Sequence, residues 1–168
     1  MQGHNFAIIG KAGTGKTLVA KQIMQSLSSA GKKYQLVCST GVACEVYKGE
    51  TWPICNALVL NSFFGIGIAN NLFANVIEDA VSKCAKKLKD LEGIIWDEFS
   101  MNSSRDLELI HCICCKVRCS NLPFGGLQVI LVGDWLQLSP VPGNYVTLEG
   151  AKMFHTPYIP NSSHISSS

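Results

Sequence analysis

Between residues 6 and 133, short apolar runs alternate with segments in which apolar and polar residues recur at a helical period. Short, mostly apolar runs predict β-strands at residues 6–9, 35–38, 93–96 and 127–133. From Thr17 to Ala30, apolar residues instead recur at steps of three and four, which predicts an amphipathic helix that ends at Gly31. Strands that alternate with helices predict an α/β fold, with a mostly parallel sheet covered by helices on both faces.

Two further helices are predicted in the middle of the chain. Residues 69–91 are predicted to be largely helical, with their charges gathered towards the end. Ser103 and Asp106 have the spacing of a capping box, which predicts that a helix begins there and runs through Val117.

The end of the chain is rich in proline and serine and lacks apolar spacing. We therefore expect one domain at residues 1–156 and a disordered tail at 157–168.

Composition supports a single globular unit and disfavours several classes of protein. The chain has 168 residues, of which 47% are hydrophobic, enough for one domain with a buried core. The formal net charge is only +2, so bulk charge predicts neither a nucleic-acid surface nor a membrane surface. The longest apolar candidate, residues 57–77, is interrupted by serine and asparagine, so no membrane contact is expected. Residues 1–5 carry no targeting pattern, and the 8 cysteines are expected to stay reduced, which predicts an intracellular protein.

The segment HCICCKVRC, residues 111–119, raises the question of a metal site. On a helix, one stripe would contain the side chains of Glu108, Cys112, Cys115 and Cys119, with His111 beside it. No second pair of ligands follows at the spacing of a zinc site, and small thiol side chains also pack well inside proteins. We therefore expect packing here and predict no metal.

Residues 10–17, GKAGTGKT, follow the first predicted strand and open the first predicted helix. They match the pattern G-x-x-x-x-G-K-[ST], in which a glycine-rich backbone brings N–H groups close to phosphate oxygens. We expect Lys16 to reach the outer phosphates and the Thr17 hydroxyl to bind Mg²⁺. The predicted nucleotide-binding residues are Gly10, Lys11, Ala12, Gly13, Thr14, Gly15, Lys16 and Thr17.

Two later strands end in acidic residues, as the strands of P-loop enzymes do. In GIIWDEFSM, Asp97 is expected to hold magnesium, and Glu98 to orient and deprotonate the attacking water. In LVGDWLQLSPV, Asp134 ends the next strand, and the amide of Gln137 is placed to sense the outer phosphate. The chain has no guanine-reading Asn-Lys-x-Asp sequence and no arginine-bearing lid, which disfavours a GTPase and a small-molecule kinase.

In this order the motifs resemble those of the Pif-one family of DNA helicases, superfamily-one motors that translocate on single-stranded DNA. The matching segments are GKAGTGKT, STGVA with NSFFGIG, IIWDEFSM, and LPFGGLQVILVGDWLQLSPV, the most specific of them. The resemblance implies a RecA-like P-loop motor domain that uses ATP and Mg²⁺. It also implies 5′–3′ DNA unwinding in repair, recombination and telomere maintenance, in the nucleus or alternatively in mitochondria.

Carried over residue by residue, the resemblance implies roles in ATP hydrolysis for five residues. Lys16 and Thr17 hold phosphate and magnesium, and Asp97 also holds magnesium. Glu98 activates water, and Gln137 senses the outer phosphate.

The resemblance also implies that Ser39, Thr40 and Gly41 contact the backbone of single-stranded DNA. Small hydroxyl and glycine residues ahead of a helix offer N–H and O–H donors to phosphates, which is consistent with this role. Two readings of the neighbouring Phe63 and Phe64 stay open. They stack on bases, at roughly 1–3 kcal/mol each, or they pack in the interior, which we favour.

The chain departs from the family pattern at three points. It begins close to its first strand, without the glutamine segment by which the family reads adenine, which leaves base selectivity open. Residues 52–60 form an insert, and Asn61 stands where the family has histidine. The chain ends soon after the third motif, without the second motor domain and its arginine, which is worth roughly 10³–10⁵ in rate. We therefore expect ATP binding with little hydrolysis; the alternative is a non-catalytic nucleotide- or DNA-binding fragment or a pseudogene product.

Overall fold

The computed structural model describes residues 4–51, 53–66 and 73–134. Within these ranges the strands, in chain order, are β1 (Phe6–Ile9), β2 (Tyr34–Cys38), β3 (Leu58–Val59), β4 (Gly93–Asp97) and β5 (Gln128–Gly133). Neighbouring strands are parallel, in the order β1–β5–β4–β2–β3. The predicted parallel sheet and its four predicted strands are confirmed. The additional strand β3 escapes prediction because its 2 residues are too few to show a period.

The α-helices of the described residues are α1 (Lys16–Ser29), α2 (Gly41–Glu45), α3 (Leu60–Phe64), α4 (Phe73–Lys89) and α5 (Ser104–Arg118). Helices α1, α4 and α5 confirm the three predicted helices, although the start predicted for α4 lies outside the described residues. Helix α5 begins at the predicted capping box. There, Ser103 Oγ accepts a hydrogen bond from Asp106 N–H at 3.2 Å, and Asp106 Oδ2 accepts one from Ser103 N–H at 2.8 Å. Among the described residues, none of the helices combines the length and the apolar character of a membrane span.

Successive residues of the central strands face opposite sides of the sheet, and helices cover each side. Leu36, Ile95 and Ile130 pack on one side. Ala20 and Met24 of α1 belong to the same buried cluster. On the other side, α3, α4 and α5 pack against the alternate residues of these strands, which are Val37, Ile94, Trp96, Val129 and Leu131. The prediction of helices on both faces is confirmed.

Because the strands are parallel, their carboxyl ends lie along one edge of the sheet. At that edge the four longer strands end with Ile9, Cys38, Asp97 and Gly133. Strands β1 and β5 are joined just beyond their ends, since the Gly10 N–H donates a hydrogen bond to the Gly133 carbonyl oxygen at 3.2 Å. Ligands of open α/β sheets bind outside this edge. The fold therefore gathers the predicted motifs where a ligand is expected.

Phe63 and Phe64 belong to the buried core on the side of α4 and α5. Their side chains are only 3% and 0% exposed, and their rings meet edge to face with centroids 5.0 Å apart. This edge-to-face arrangement is a favourable one for aromatic side chains. The structure thus confirms the reading in which both rings pack in the interior.

The cysteine cluster of α5 lies partly in the core and partly at the surface. Cys114 is fully buried, whereas Cys115 Sγ lies 3.5 Å from His111 Nε2. The other ring nitrogen of His111 accepts a hydrogen bond from the Phe124 N–H at 3.1 Å. Among the described residues, no group of three or more His, Cys, Asp or Glu side chains is arranged to hold a metal ion.

Candidate nucleotide-binding site

The loop between β1 and α1 surrounds the ammonium group of Lys16. Its Nζ donates hydrogen bonds to the carbonyl oxygens of Gly10, at 2.7 Å, and Lys11, at 2.9 Å. Gly13 and Gly15 have φ angles of +79° and +85°, in the left-handed region that glycine adopts without strain. At the beginning of α1, the first N–H groups and the helix dipole favour an anion. The loop therefore has the form of a phosphate-binding cradle.

Asp97 ends β4, and its side chain is only 2% exposed. Its Oδ1 accepts a hydrogen bond from the Glu98 N–H at 2.9 Å, and its Oδ2 accepts one from the hydroxyl of Tyr47. Burial, and then the Asp97 carboxylate, raise the pKa of Tyr47, so the phenol stays protonated and donates to the carboxylate. A hydrogen bond from the Thr17 side chain acts to lower the pKa of Tyr47. Tyr47 therefore links the two residues predicted to hold magnesium.

Glu98 follows Asp97 in a left-handed conformation, with a φ of 55° and a ψ of 34°. Such strained conformations are costly for residues other than glycine and cluster at functional sites. Its Oε2 is buried and has no hydrogen-bond partner among the described residues. Burial and the carboxylates of Asp97 and Asp134 raise the pKa of Glu98, while Lys16 acts to lower it. A half-buried carboxylate that has one buried oxygen without a partner and a raised pKa is suited to accept a proton from water.

The oxygen atoms at this edge fit a magnesium ion that arrives together with a nucleotide. Mg²⁺ in proteins usually has one or two carboxylate ligands and completes its octahedral shell with water and substrate phosphates. The Thr17 hydroxyl and the Asp97 carboxylate are two such oxygen donors, and they lie beside the cradle. The unpartnered Oε2 of Glu98 adds a further polar atom there that lacks a partner within the described part of the chain.

The three residues predicted to contact DNA follow β2, and two of them have partners inside the protein. Ser39 Oγ donates a hydrogen bond to the Glu98 carbonyl oxygen at 2.7 Å. Thr40 Oγ1 accepts one from the Ala43 N–H at 3.2 Å and thereby caps α2. Gly41 is exposed and begins that helix. The structure thus attaches this segment directly to the backbone of Glu98.

The structure brings most of the predicted site residues together. Lys16, Thr17, Asp97 and Glu98 meet at one edge of the sheet. Lys16 and Asp97 both shift the pKa of Glu98, and Tyr47 forms hydrogen bonds with Asp97 and Thr17. Ser39 joins them through the Glu98 carbonyl, whereas Thr40 serves α2. The predicted phosphate sensor, residue 137, lies outside the described residues.

Sequence reasoning misses two residues of the site, Tyr47 and Trp96. Trp96 Nε1 donates hydrogen bonds to Ser39 Oγ at 3.1 Å and to Asn102 Oδ1 at 3.3 Å. Tyr47 belongs to none of the motifs. Its only signal is a three-residue step from Cys44, which indicates a buried face and says nothing of a carboxylate 50 residues further along the chain.

A parallel sheet with a glycine-rich cradle after β1 and paired carboxylates at the end of β4 defines a P-loop motor domain of the RecA type. The family model described as PIF1-like helicase matches residues 1–152. The chain belongs to this family, the same Pif-one family that its motifs resemble.

Curated and solved relatives agree with this membership. The ATP-dependent DNA helicase Pif1 of Bdellovibrio bacteriovorus is 34% identical over 143 residues, which are 83% of this chain and 30% of that protein. The crystal structure of Pif1 helicase from Candida albicans matches with a TM-score of 0.70 and 30% identity, over 83% of this chain and 31% of that one. Bacteroides Pif1 in complex with ADP-AlF3 and single-stranded DNA matches with a TM-score of 0.63 and 29% identity, over 86% and 31%. The chain thus spans less than a third of the length of these relatives.

Proposed function

We propose that this chain carries the ATP- and Mg²⁺-binding part of the first motor domain of an ATP-dependent DNA helicase, over residues 1–156. The observation that supports it most directly is the cradle around Lys16, with Asp97 and Glu98 beside it at one edge of the sheet. The Bacteroides relative was solved with ADP-AlF3 and single-stranded DNA, which supports the same classes of ligand for this chain. Unwinding by the whole motor requires a second motor domain in addition to this one.

Each residue at the edge has a role in this proposal. Mg²⁺, when bound, neutralises charge that develops on the outer phosphates. Thr17 and Asp97 hold the ion, and Lys16 binds the outer phosphates. Glu98 takes a proton from the attacking water, and the raised pKa of Glu98 helps because a general base works best when its pKa lies near the operating pH. Gln137 senses the outer phosphate.

The segment from Ser39 to Gly41 contacts single-stranded DNA in this proposal. The Ser39 hydroxyl has one proton, which it donates to the carbonyl oxygen of Glu98. Ser39 therefore connects the segment to the catalytic loop, and exposed Gly41 is the member best placed to offer its backbone to a phosphate. The whole helicase acts in DNA repair, recombination and telomere maintenance, in the nucleus or alternatively in mitochondria, as the family resemblance implies.

Thermal unfolding with and without ATP and Mg²⁺ tests nucleotide binding. At 100 times the dissociation constant, a ligand stabilises the folded state by about 2.7 kcal/mol. For a chain of this size that free energy raises Tm by roughly 5–11 °C. Lys16→Ala should abolish the shift. Lys33→Ala, which changes an exposed lysine just before β2 at the opposite edge of the sheet, should keep it. An equal shift for Lys16→Ala and the wild type contradicts the proposal.

ATP turnover tests the catalytic roles separately from binding. We expect slow turnover, because a transition-state arginine is worth roughly 10³–10⁵ in rate and neither Arg105 nor Arg118 matches its position. Arg118 instead has partners within the fold. Its guanidinium donates hydrogen bonds to the carbonyl oxygens of Leu88, Leu91 and Gly125 at 3.0–3.3 Å. Glu98→Gln should lower the residual rate, measured with and without single-stranded DNA, while nucleotide affinity is kept. If Glu98→Gln leaves the rate unchanged, Glu98 is not the base.

A further inference from the structure

Tyr47 occupies a position that the proposed mechanism does not use. Its side chain is fully buried, and its hydroxyl lies between the two oxygen donors assigned to magnesium, those of Thr17 and Asp97. We propose that Tyr47 is a positioning residue, which orients the Thr17 hydroxyl and the Asp97 carboxylate for a divalent cation. This inference rests on the proposed nucleotide site.

Neighbouring groups hold the Tyr47 side chain from the side of α1. Lys21 Nζ lies 5.5 Å from the centroid of the Tyr47 ring, within the range of a cation–π interaction. The same ammonium group is fixed by a salt bridge with Glu50 Oε1 at 2.7 Å. The backbone also anchors the residue, since the Tyr47 N–H donates to the Cys44 carbonyl oxygen at 3.1 Å. A ring held in this way directs its hydroxyl towards a fixed point.

The chemistry of the three groups sets the direction of each hydrogen bond. An ionised carboxylate only accepts, so the Tyr47 hydroxyl donates its proton to Asp97 Oδ2. The phenol oxygen then accepts from the Thr17 hydroxyl, because its own proton is already used. The chain of donors therefore runs from Thr17 through Tyr47 to Asp97.

This direction matters because a cation needs lone pairs and is repelled by a proton. With its proton directed to Tyr47, the Thr17 hydroxyl keeps lone pairs for an ion. Asp97 has about four lone-pair sites, and its described donors are the Tyr47 hydroxyl and the Glu98 N–H, which leaves sites for the ion or its water shell. Without the phenol hydroxyl, the Thr17 proton is free to turn towards the ion and the carboxylate is free to rotate.

Tyr47→Phe in the full chain tests this role, since it removes the hydroxyl and keeps the ring. The readouts are the dissociation constant of ATP in the presence of EDTA, and the dissociation constant of Mn²⁺ from the ATP-bound protein, by electron paramagnetic resonance. We expect the metal-free ATP constant to stay within about twofold, and the Mn²⁺ constant to rise about 10–100-fold, as for other partners of metal ligands. Tyr34→Phe is the matched control, because Tyr34 begins β2, at the end of the strand away from the site, and its hydroxyl bonds to Gln128 of β5.

A second variant keeps the test independent of any folding defect in Tyr47→Phe. Lys21→Met removes the cation above the ring but leaves the hydroxyl, and it should raise the Mn²⁺ constant in the same direction by a smaller factor. An unchanged Mn²⁺ constant in both variants overturns the positioning role. A tighter constant in Tyr47→Phe also overturns it, because the hydroxyl would then compete with the ion. If the wild type binds no ATP even in EDTA, the proposed function fails first and the inference falls with it.

Discussion

Ser39→Ala is expected to destabilise the fold rather than to remove only a DNA contact. The hydroxyl of Ser39 donates to the Glu98 carbonyl oxygen at 2.7 Å and accepts from Trp96 Nε1 at 3.1 Å. Both partners belong to β4 or to the turn after it, so this one side chain joins the end of β2 to the turn at Glu98. Alanine leaves both partners without this bond.

The size of the effect follows from what each partner has left. A buried polar group that loses its partner costs about 1–3 kcal/mol. The Trp96 N–H retains a second acceptor, Asn102 Oδ1 at 3.3 Å, so its cost falls at the lower end. The Glu98 carbonyl oxygen loses its bond from Ser39 at 2.7 Å but keeps one from the Met101 N–H at 3.0 Å, so its cost also falls at the lower end. The sum is about 2 kcal/mol, which lowers Tm by roughly 4–8 °C for a chain of this size.

Urea unfolding of the full chain, followed by tryptophan fluorescence and by circular dichroism, measures the change. Ser82→Ala is the matched control, because Ser82 is an exposed serine of α4 and its loss should change the free energy of unfolding by less than about 0.5 kcal/mol. Affinity for single-stranded DNA is measured at a temperature where both variants are folded. Wild-type stability together with weakened DNA binding in Ser39→Ala would contradict this prediction, since the hydroxyl would then serve DNA and not Glu98.

Three further predictions follow from local geometry. Ser103→Ala should lower the free energy of unfolding, measured in urea, by about 1 kcal/mol, because it removes the cap of α5. Ser104→Ala, at an exposed neighbouring position, should lower it less. Gly125→Ala should lower the free energy of unfolding by roughly 2–5 kcal/mol in the same assay. The φ angle of Gly125 is +64°, and an added Cβ would lie 2.5 Å from a carbonyl oxygen of α5. Burial lowers the pKa of His111 below the ordinary 6.5, so the unfolded chain takes up this proton first and the free energy of unfolding should fall as the pH drops below 6.5. His111→Gln should lose that part of the pH dependence and His4→Gln should keep it; equal pH profiles for both would contradict the assignment.

Elements with a long period or a strict local pattern could be predicted from the sequence. Helix α1 repeats its apolar residues over 14 positions, and the capping box of α5 needs only Ser103 and Asp106, three residues apart. The cradle is equally local, because every bond that Lys16 makes to it reaches no further than Gly10. The position of the Asp97 and Glu98 carboxylates near the cradle could also be predicted, because parallel strands end on a common edge of the sheet.

Contacts between distant parts of the chain could not be predicted in this way. The bond from Tyr47 to Asp97 joins residues 50 apart in sequence, and the bond from Ser39 to Glu98 joins residues 59 apart. Both depend on β2 lying directly beside β4, whereas the order of strands leaves no trace in the period of any single strand. The short helix α2, which brings Tyr47 back towards the site, has 5 residues and too few turns for a helical pattern.

The hydrogen bonds of Lys16 also explain why a lysine, and not another positively charged residue, suits this loop. An ammonium group has three N–H bonds, and two of those of Lys16 are directed to the carbonyl oxygens of Gly10 and Lys11. In the proposed function the third remains for a phosphate, so the residue that would bind the ligand also closes the loop around it. A side chain held in this way has little rotamer entropy left to lose on binding, whereas a free lysine loses up to about 2 kcal/mol. Arginine would keep the charge, but its planar, forked donors do not radiate from one point towards two carbonyls and a phosphate. At this position the tetrahedral arrangement of the donors, and not the charge alone, suits a lysine.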